Sequence, residues 1–283
     1  MKRIYLVFIW VCTWIFGSIF LNGCSADFSY PEYKLSQLPS NVNSIYLQDS
    51  LRYLSLACAQ EAVVQETFAQ NSQIEHKLMT FPKEKIRVLT IYDSIKNTQI
   101  VNIVSLQSGD DIIKGLKNYP VQGKLFKFPI NGFYNEIYSN IRTEIIASIK
   151  PNAIVQINAI GLATSYATLL AIELTQLQNP VESILNFGST RFTSQEAHSY
   201  IAKKFDGIMV NVTHENDINH QIYMGIFTSE LLPQEYIICS TRKCYEKMYE
   251  QKAFSKREIR NHISSFPHQY IEMYHDSLIK KII

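Results

Sequence analysis

One stretch of the sequence limits the folds open to this chain more than any other. Between residues 153 and 212, three short apolar runs at 153–157 (AIVQI), 184–187 (ILNF) and 208–212 (IMVNV) alternate with two segments of helical spacing. The first of these, 162–177, carries Tyr166, Leu169, Leu170, Leu174 and Leu177 on one side, and the second covers 194–204. Strand, helix, strand, helix, strand at these lengths predicts parallel strands joined by crossover helices. The fold class is therefore α/β, with a mostly parallel central sheet covered by helices on both faces. Upstream, residues 86–91 and 101–104 read as further strands. Leu47, Leu51, Leu54, Cys58 and Ala62 recur at helical spacing and predict a helix over 47–67. Phe133, Ile137, Ile141 and Ile145 predict another over 132–149, with Pro151 just past its end.

The N-terminus has a different character. Lys2 and Arg3 precede an apolar run from Ile4 to Leu21, the pattern of a basic region followed by a hydrophobic export segment. The run is about long enough to span a bilayer, so a retained anchor stays open beside a cleaved signal peptide. Leu21-Asn22-Gly23-Cys24 resembles a bacterial lipobox, in which Cys24 becomes the lipidated N-terminus. The expected organisation is a signal peptide or anchor at 1–23, a Ser/Pro-bearing tether at 24–45 and one domain at 46–283. The address is an exported protein, membrane-anchored by lipidation at Cys24, with secreted and single-pass forms as alternatives. The chain has 27 Lys+Arg and 25 Asp+Glu. Setting aside Lys2 and Arg3 leaves 25 of each sign, a balance that argues against a nucleic-acid partner. The 5 Cys are too few and scattered for a disulfide scaffold, and no thiolate or carboxylate spacing suggests a metal. No cofactor is implied. Asn211-Val212-Thr213 is a glycosylation triplet of little weight.

In parallel-sheet folds the reactive groups gather at the carboxyl ends of the strands. After 153–157 come Asn158-Ala159-Ile160-Gly161-Leu162-Ala163-Thr164-Ser165-Tyr166-Ala167-Thr168-Leu169-Leu170-Ala171. This run resembles the T-G-H-S-L-G-G-A-L-A-T-L-L-A motif of the class 3 (fungal-type) lipases, α/β-hydrolases that cleave carboxylic esters. Leu162 and the run from Ala167 to Ala171 fix the register. Gly161 then falls on the nucleophilic serine, Ile160 on the histidine before it, and Ala159 and Ala163 on the two glycines of G-x-S-x-G. Small neighbours preserve the close strand–helix approach, and glycine adopts the left-handed apex at little cost. The turn keeps its shape and loses its oxygen. Without that oxygen no acyl-enzyme forms.

The resemblance extends over roughly residues 47–270. Asn186-Phe187-Gly188-Ser189-Thr190-Arg191 is similar to T-F-G-S-P-R, and Gly132-Phe133-Tyr134 to part of V-H-x-G-F-Y, with Ile130 at the histidine. Asn216-Asp217-Ile218 is similar to N-D-P-V and aligns Asp217 with the triad acid; a turn-capping aspartate is an equal reading. The oxyanion segment falls at Leu106-Gln107-Ser108-Gly109-Asp110-Asp111, so the resemblance places oxyanion donors at Ser108, Gly109 and Leu162. Counting back from Glu235-Tyr236-Ile237 puts the triad histidine at Leu231, with His268 and His275 left open. Asp110 and Asp111 are expected to start a helix rather than hold a metal.

Two readings follow. In the first the chain is a catalytically inactive lipase relative, membrane-tethered, that binds a lipid or acyl ligand or an unknown protein partner. In the second it is an active esterase or lipase whose nucleophile is Ser108, Ser165 or Ser189.

Overall fold

The structure, a computed structural model, describes residues 44–115, 120–122, 125–190, 192–214, 217, 235–238 and 271–274. Cys24 and Leu231 lie outside the described residues, as do His268 and His275.

Two helices, α1 (Ser44–Cys58) and α2 (Glu61–Phe68), lead into three antiparallel strands, β1 (Ile74–Phe81), β2 (Ile86–Asp93) and β3 (Thr98–Ser105). A short helix α3 (Gly109–Gly115) and a hairpin of β4 (Pro120–Gln122) and β5 (Pro129–Asn131) precede α4 (Gly132–Ala147). The expected alternation follows as β6 (Ile154–Ile160), α5 (Ala163–Gln176), β7 (Val181–Phe187), α6 (Gln195–Lys204) and β8 (Met209–His214), then β9 (Glu235–Ile238). The main sheet has the order β1-β2-β3-β6-β7-β8-β9 and is parallel from β3 through β9.

Successive side chains on a strand point to opposite faces, and both faces here are apolar. Val101, Ile103, Val155, Ile157, Ala159 and Ile184 join one core with the inner sides of α4, α5 and α6. Val104, Ile160, Leu185, Phe187, Val210 and Val212 join a second core with α1, α2 and the helical segment at 271–274. Helices thus cover both faces, and the central strands β2, β3, β6 and β8 are mostly buried, as parallel sheets require. This is an α/β-hydrolase-like architecture. Among the described residues no helix is long and apolar enough to cross a membrane.

Several expectations need correction. The helix over 47–67 is two helices, broken at Ala59-Gln60. The Arg87 guanidinium, reaching from β2, donates to the carbonyls of Cys58 and Ala59 at 2.7 and 2.5 Å. It takes up orphan carbonyls at the end of α1, so the chain can turn there. The helix starting at 132 stops at Ala147. On α5 the apolar stripe is no stripe, since every residue from Ala163 to Leu174 is buried, while Leu177 is 52% exposed. A helix buried all round needs cover on its outer side. Here α4 supplies it: Tyr134 packs on Tyr166, and Tyr138 and Arg142 hydrogen-bond Glu173. The edge strand β1 has no counterpart among the predicted elements.

Candidate functional site

The carboxyl ends of β6, β7 and β8 lie side by side, and the residues singled out in the sequence are distributed along this edge. Strand β6 ends at Ile160. The chain then reverses at Gly161, whose φ of +62° is left-handed, and enters α5 through Leu162 at φ −60°, ψ −26°. An L-residue in that left-handed conformation costs about 1–2 kcal/mol, which glycine avoids. The Gly161 N–H donates to Phe187 O at 2.7 Å. Its carbonyl accepts from the N–H of Thr164 at 3.1 Å and from the Thr164 hydroxyl at 2.7 Å. Thr164 Oγ1 in turn accepts from the N–H of Thr190 at 3.2 Å. The bend is therefore tied to both the helix and the segment after β7. Ala159 and Ala163 are fully buried, as a close strand–helix approach requires. The strand-to-helix bend thus has a left-handed apex between small, buried neighbours, and the apex residue is a glycine without a side chain. Leu162, directly after the apex, is buried.

The nearby hydroxyls are each committed elsewhere. Ser165 is fully buried and donates to Leu162 O at 2.6 Å, within its own helix. Ser189 donates to Asn211 Oδ1 at 2.7 Å. Ser108 donates to Asp111 Oδ2 through its hydroxyl at 2.7 Å and its backbone N–H at 2.8 Å. None of these acceptors is an imidazole. For Ser108 the consequence is double, because the N–H expected as an oxyanion donor is held by a carboxylate.

Asp111 explains the local structure of the loop after β3. Ser108 stands just before α3 and Asp111 three residues on, the spacing of a capping box. Lys85 adds a third hydrogen bond to the same oxygen at 2.7 Å. Burial alone would raise this carboxyl; the hydrogen bonds from Lys85 and Ser108 outweigh it and bring its pKa down to about 2. Gly109 is buried as the first residue of α3. Gln107 folds inward, accepting from Ser105 Oγ at 3.1 Å and from the Tyr166 phenol at 3.4 Å.

Asp217 sits past the end of β8 and is fully buried. Its N–H donates to His214 O at 2.9 Å, and its Oδ2 accepts from the Tyr274 phenol at 2.5 Å. The N–H of His214 donates to the same phenol oxygen at 3.2 Å, and the imidazole packs edge-on against the Tyr274 ring. The helical segment that reaches Asp217 reads Ile271-Glu272-Met273-Tyr274 and brings a phenol. Parallel strands are spaced about 4.8 Å apart. The apex at the end of β6 and the acid beyond β8 therefore share one sheet edge, two strand positions apart. Tyr274 escaped the sequence reading: a single tyrosine 57 residues from its partner leaves no periodic or motif signal.

Two further features bear on the sequence expectations. Asn211 is 1% exposed in a central strand and accepts from Asn186 as well as Ser189, so the glycosylation triplet is closed to modification in the folded chain. Among the described residues no group of three His, Cys, Asp or Glu side chains gathers as a metal site would need.

No protein-family model matches the chain, and no curated protein matches it. Solved structures do. The triacylglyceride lipase of Rhizomucor miehei superposes with a TM-score of 0.54 at 15% identity, over 70% of this chain and 82% of that one. The Lip2 lipase of Yarrowia lipolytica gives 0.55 at 15% identity, over 72% and 82%. A lipase from Rhizopus microsporus var. chinensis gives 0.55 at 14% identity, over 82% and 92%. At these identities the likeness speaks for architecture alone: the chain has the α/β-hydrolase fold of the fungal lipases.

Proposed function

We propose that this chain is a lipase-fold protein without hydrolase activity, tethered to a membrane through its N-terminus and used for binding. The observation that carries the reading is the apex of the elbow. The bend between β6 and α5 has the left-handed conformation a nucleophile elbow needs, and Gly161 stands there. Acyl transfer needs an oxygen or sulfur nucleophile with a base beside it. The hydroxyls of Ser108, Ser165 and Ser189 donate to Asp111, Leu162 and Asn211 instead.

A lipid or acyl chain is the ligand this fold favours, since the structures it resembles include lipases of triacylglycerides. A protein partner is the other candidate. The tether rests on the apolar segment from Ile4 to Leu21 and on Cys24. Export and lipidation predict that Cys24→Ala moves the protein from the membrane fraction to the soluble fraction.

The test of inactivity is hydrolysis of p-nitrophenyl butyrate and p-nitrophenyl palmitate. The expected rate equals the buffer blank for both esters. Clear turnover, unchanged in Gly161→Ala, would place the chemistry elsewhere in the fold and overturn the reading.

A further inference from the structure

Among the groups this function leaves unused, the contacts of Asp217 and Tyr274 form the most tightly defined cluster. Both residues are fully buried, and they lie 57 positions apart in sequence. The phenol is held by hydrogen bonds and by ring contacts. It donates to Asp217 Oδ2 at 2.5 Å and accepts from the N–H of His214 at 3.2 Å. Its ring packs edge-on against Phe187, with centroids 5.5 Å apart, and against His214 at 5.9 Å. Phe187 and His214 are the last residues of β7 and β8. One side chain therefore touches the ends of two central strands and the acid beyond the second. Ile271, on the same turn, is buried in the same core.

We infer that Tyr274 and Asp217 form a strap, by which the helical segment at 271–274 is fastened across the ends of β7 and β8. In this role Asp217 is a fold-closing residue whose buried carboxyl group is held by a phenol. The physical basis is the cost of removing one hydrogen-bond partner from a fully buried polar group, which the loss of the phenol would impose. The inference rests on the contacts of Asp217 and not on the state of the elbow, so it stands or falls separately from the proposed loss of activity.

The experiment is a double-mutant cycle on the full chain, with Tyr274→Phe, Asp217→Asn and the pair, read by thermal unfolding. Tyr274→Phe keeps the ring and removes only the hydroxyl. It is expected to lower Tm by about 4–8 °C. The double variant is expected to be no less stable than the worse single variant, because both remove one interaction. Tm losses that add, or a Tyr274→Phe variant within one degree of the parent, would overturn the strap. Amide hydrogen exchange on the unmodified protein gives a second reading that does not depend on variants folding. The amides of 271–274 and of β8 are expected to open together as one unit. Exchange at 271–274 orders of magnitude faster than in β8 would also overturn it.

Discussion

Gly161→Ser is the substitution that most directly interrogates the elbow. It places a hydroxyl on a bend whose apex is already left-handed. The cost follows from the backbone: at φ +62° an L-residue is disfavoured by about 1–2 kcal/mol. For a domain of this size each kcal/mol shifts Tm by about 2–4 °C, so the variant should melt about 2–8 °C below the parent. A serine without a general base is a weak nucleophile, so the added oxygen alone is expected to give no ester turnover. Differential scanning calorimetry and a p-nitrophenyl butyrate assay on the same preparation read both quantities. A variant as stable as the parent would refute the claim that glycine relieves strain at the apex. Turnover above the blank would show a working base already in place beside the bend and would refute the expectation that the added oxygen stays idle.

Other expectations follow from the same contacts. The carboxyl of Asp111 has a folded pKa of about 2, below its unfolded value of 3.8. Its contribution to stability is therefore present above about pH 4 and is lost as pH falls toward 2; Tm measured across this range should fall less steeply in Asp111→Asn than in the parent. Glu173 is buried and bonded by Tyr138 and Arg142. Arg142→Ala leaves its carboxylate without a countercharge and should destabilise by about 3 kcal/mol in urea unfolding, with Glu173→Gln restoring part of the loss in the double variant. Burial pushes the Cys58 thiol up to about 12 against the opposing charge of Arg87. Mass spectrometry should find Cys58 unmodified by iodoacetamide at pH 8 in the folded protein and modified in urea.

The sequence was most readable where function and fold share a local pattern. The alternation from 153 to 212 needs only neighbours along the chain, and the parallel strands and crossover helices appear where that alternation puts them. The elbow was readable for the same reason, since the left-handed turn, small flanking residues and following helix are all encoded within 13 residues. Features set by distant partners were not. The break between α1 and α2 depends on Arg87, a β2 residue nearly 30 positions away. The full burial of α5 depends on α4 packing over it. Strand β1 carries three consecutive polar residues, Glu75, His76 and Lys77, and lies at the sheet edge, so its alternation signal is weak. The commitment of Ser108 to Asp111 was only partly foreseeable. The capping spacing was visible, while Lys85 arrives through strand pairing. The partnership of Asp217 with Tyr274 exists only in the assembled fold.

The central proposal is that the bend between β6 and α5 presents no nucleophile and that no serine among the described residues has taken its place. A fluorophosphonate probe tests it most directly, because it forms a covalent adduct only with an activated serine. Intact-mass spectrometry of the folded chain after exposure to excess probe should show the unmodified mass alone. A stoichiometric adduct that maps to a single serine, and disappears on unfolding before labelling, would show an active hydrolase and contradict the account.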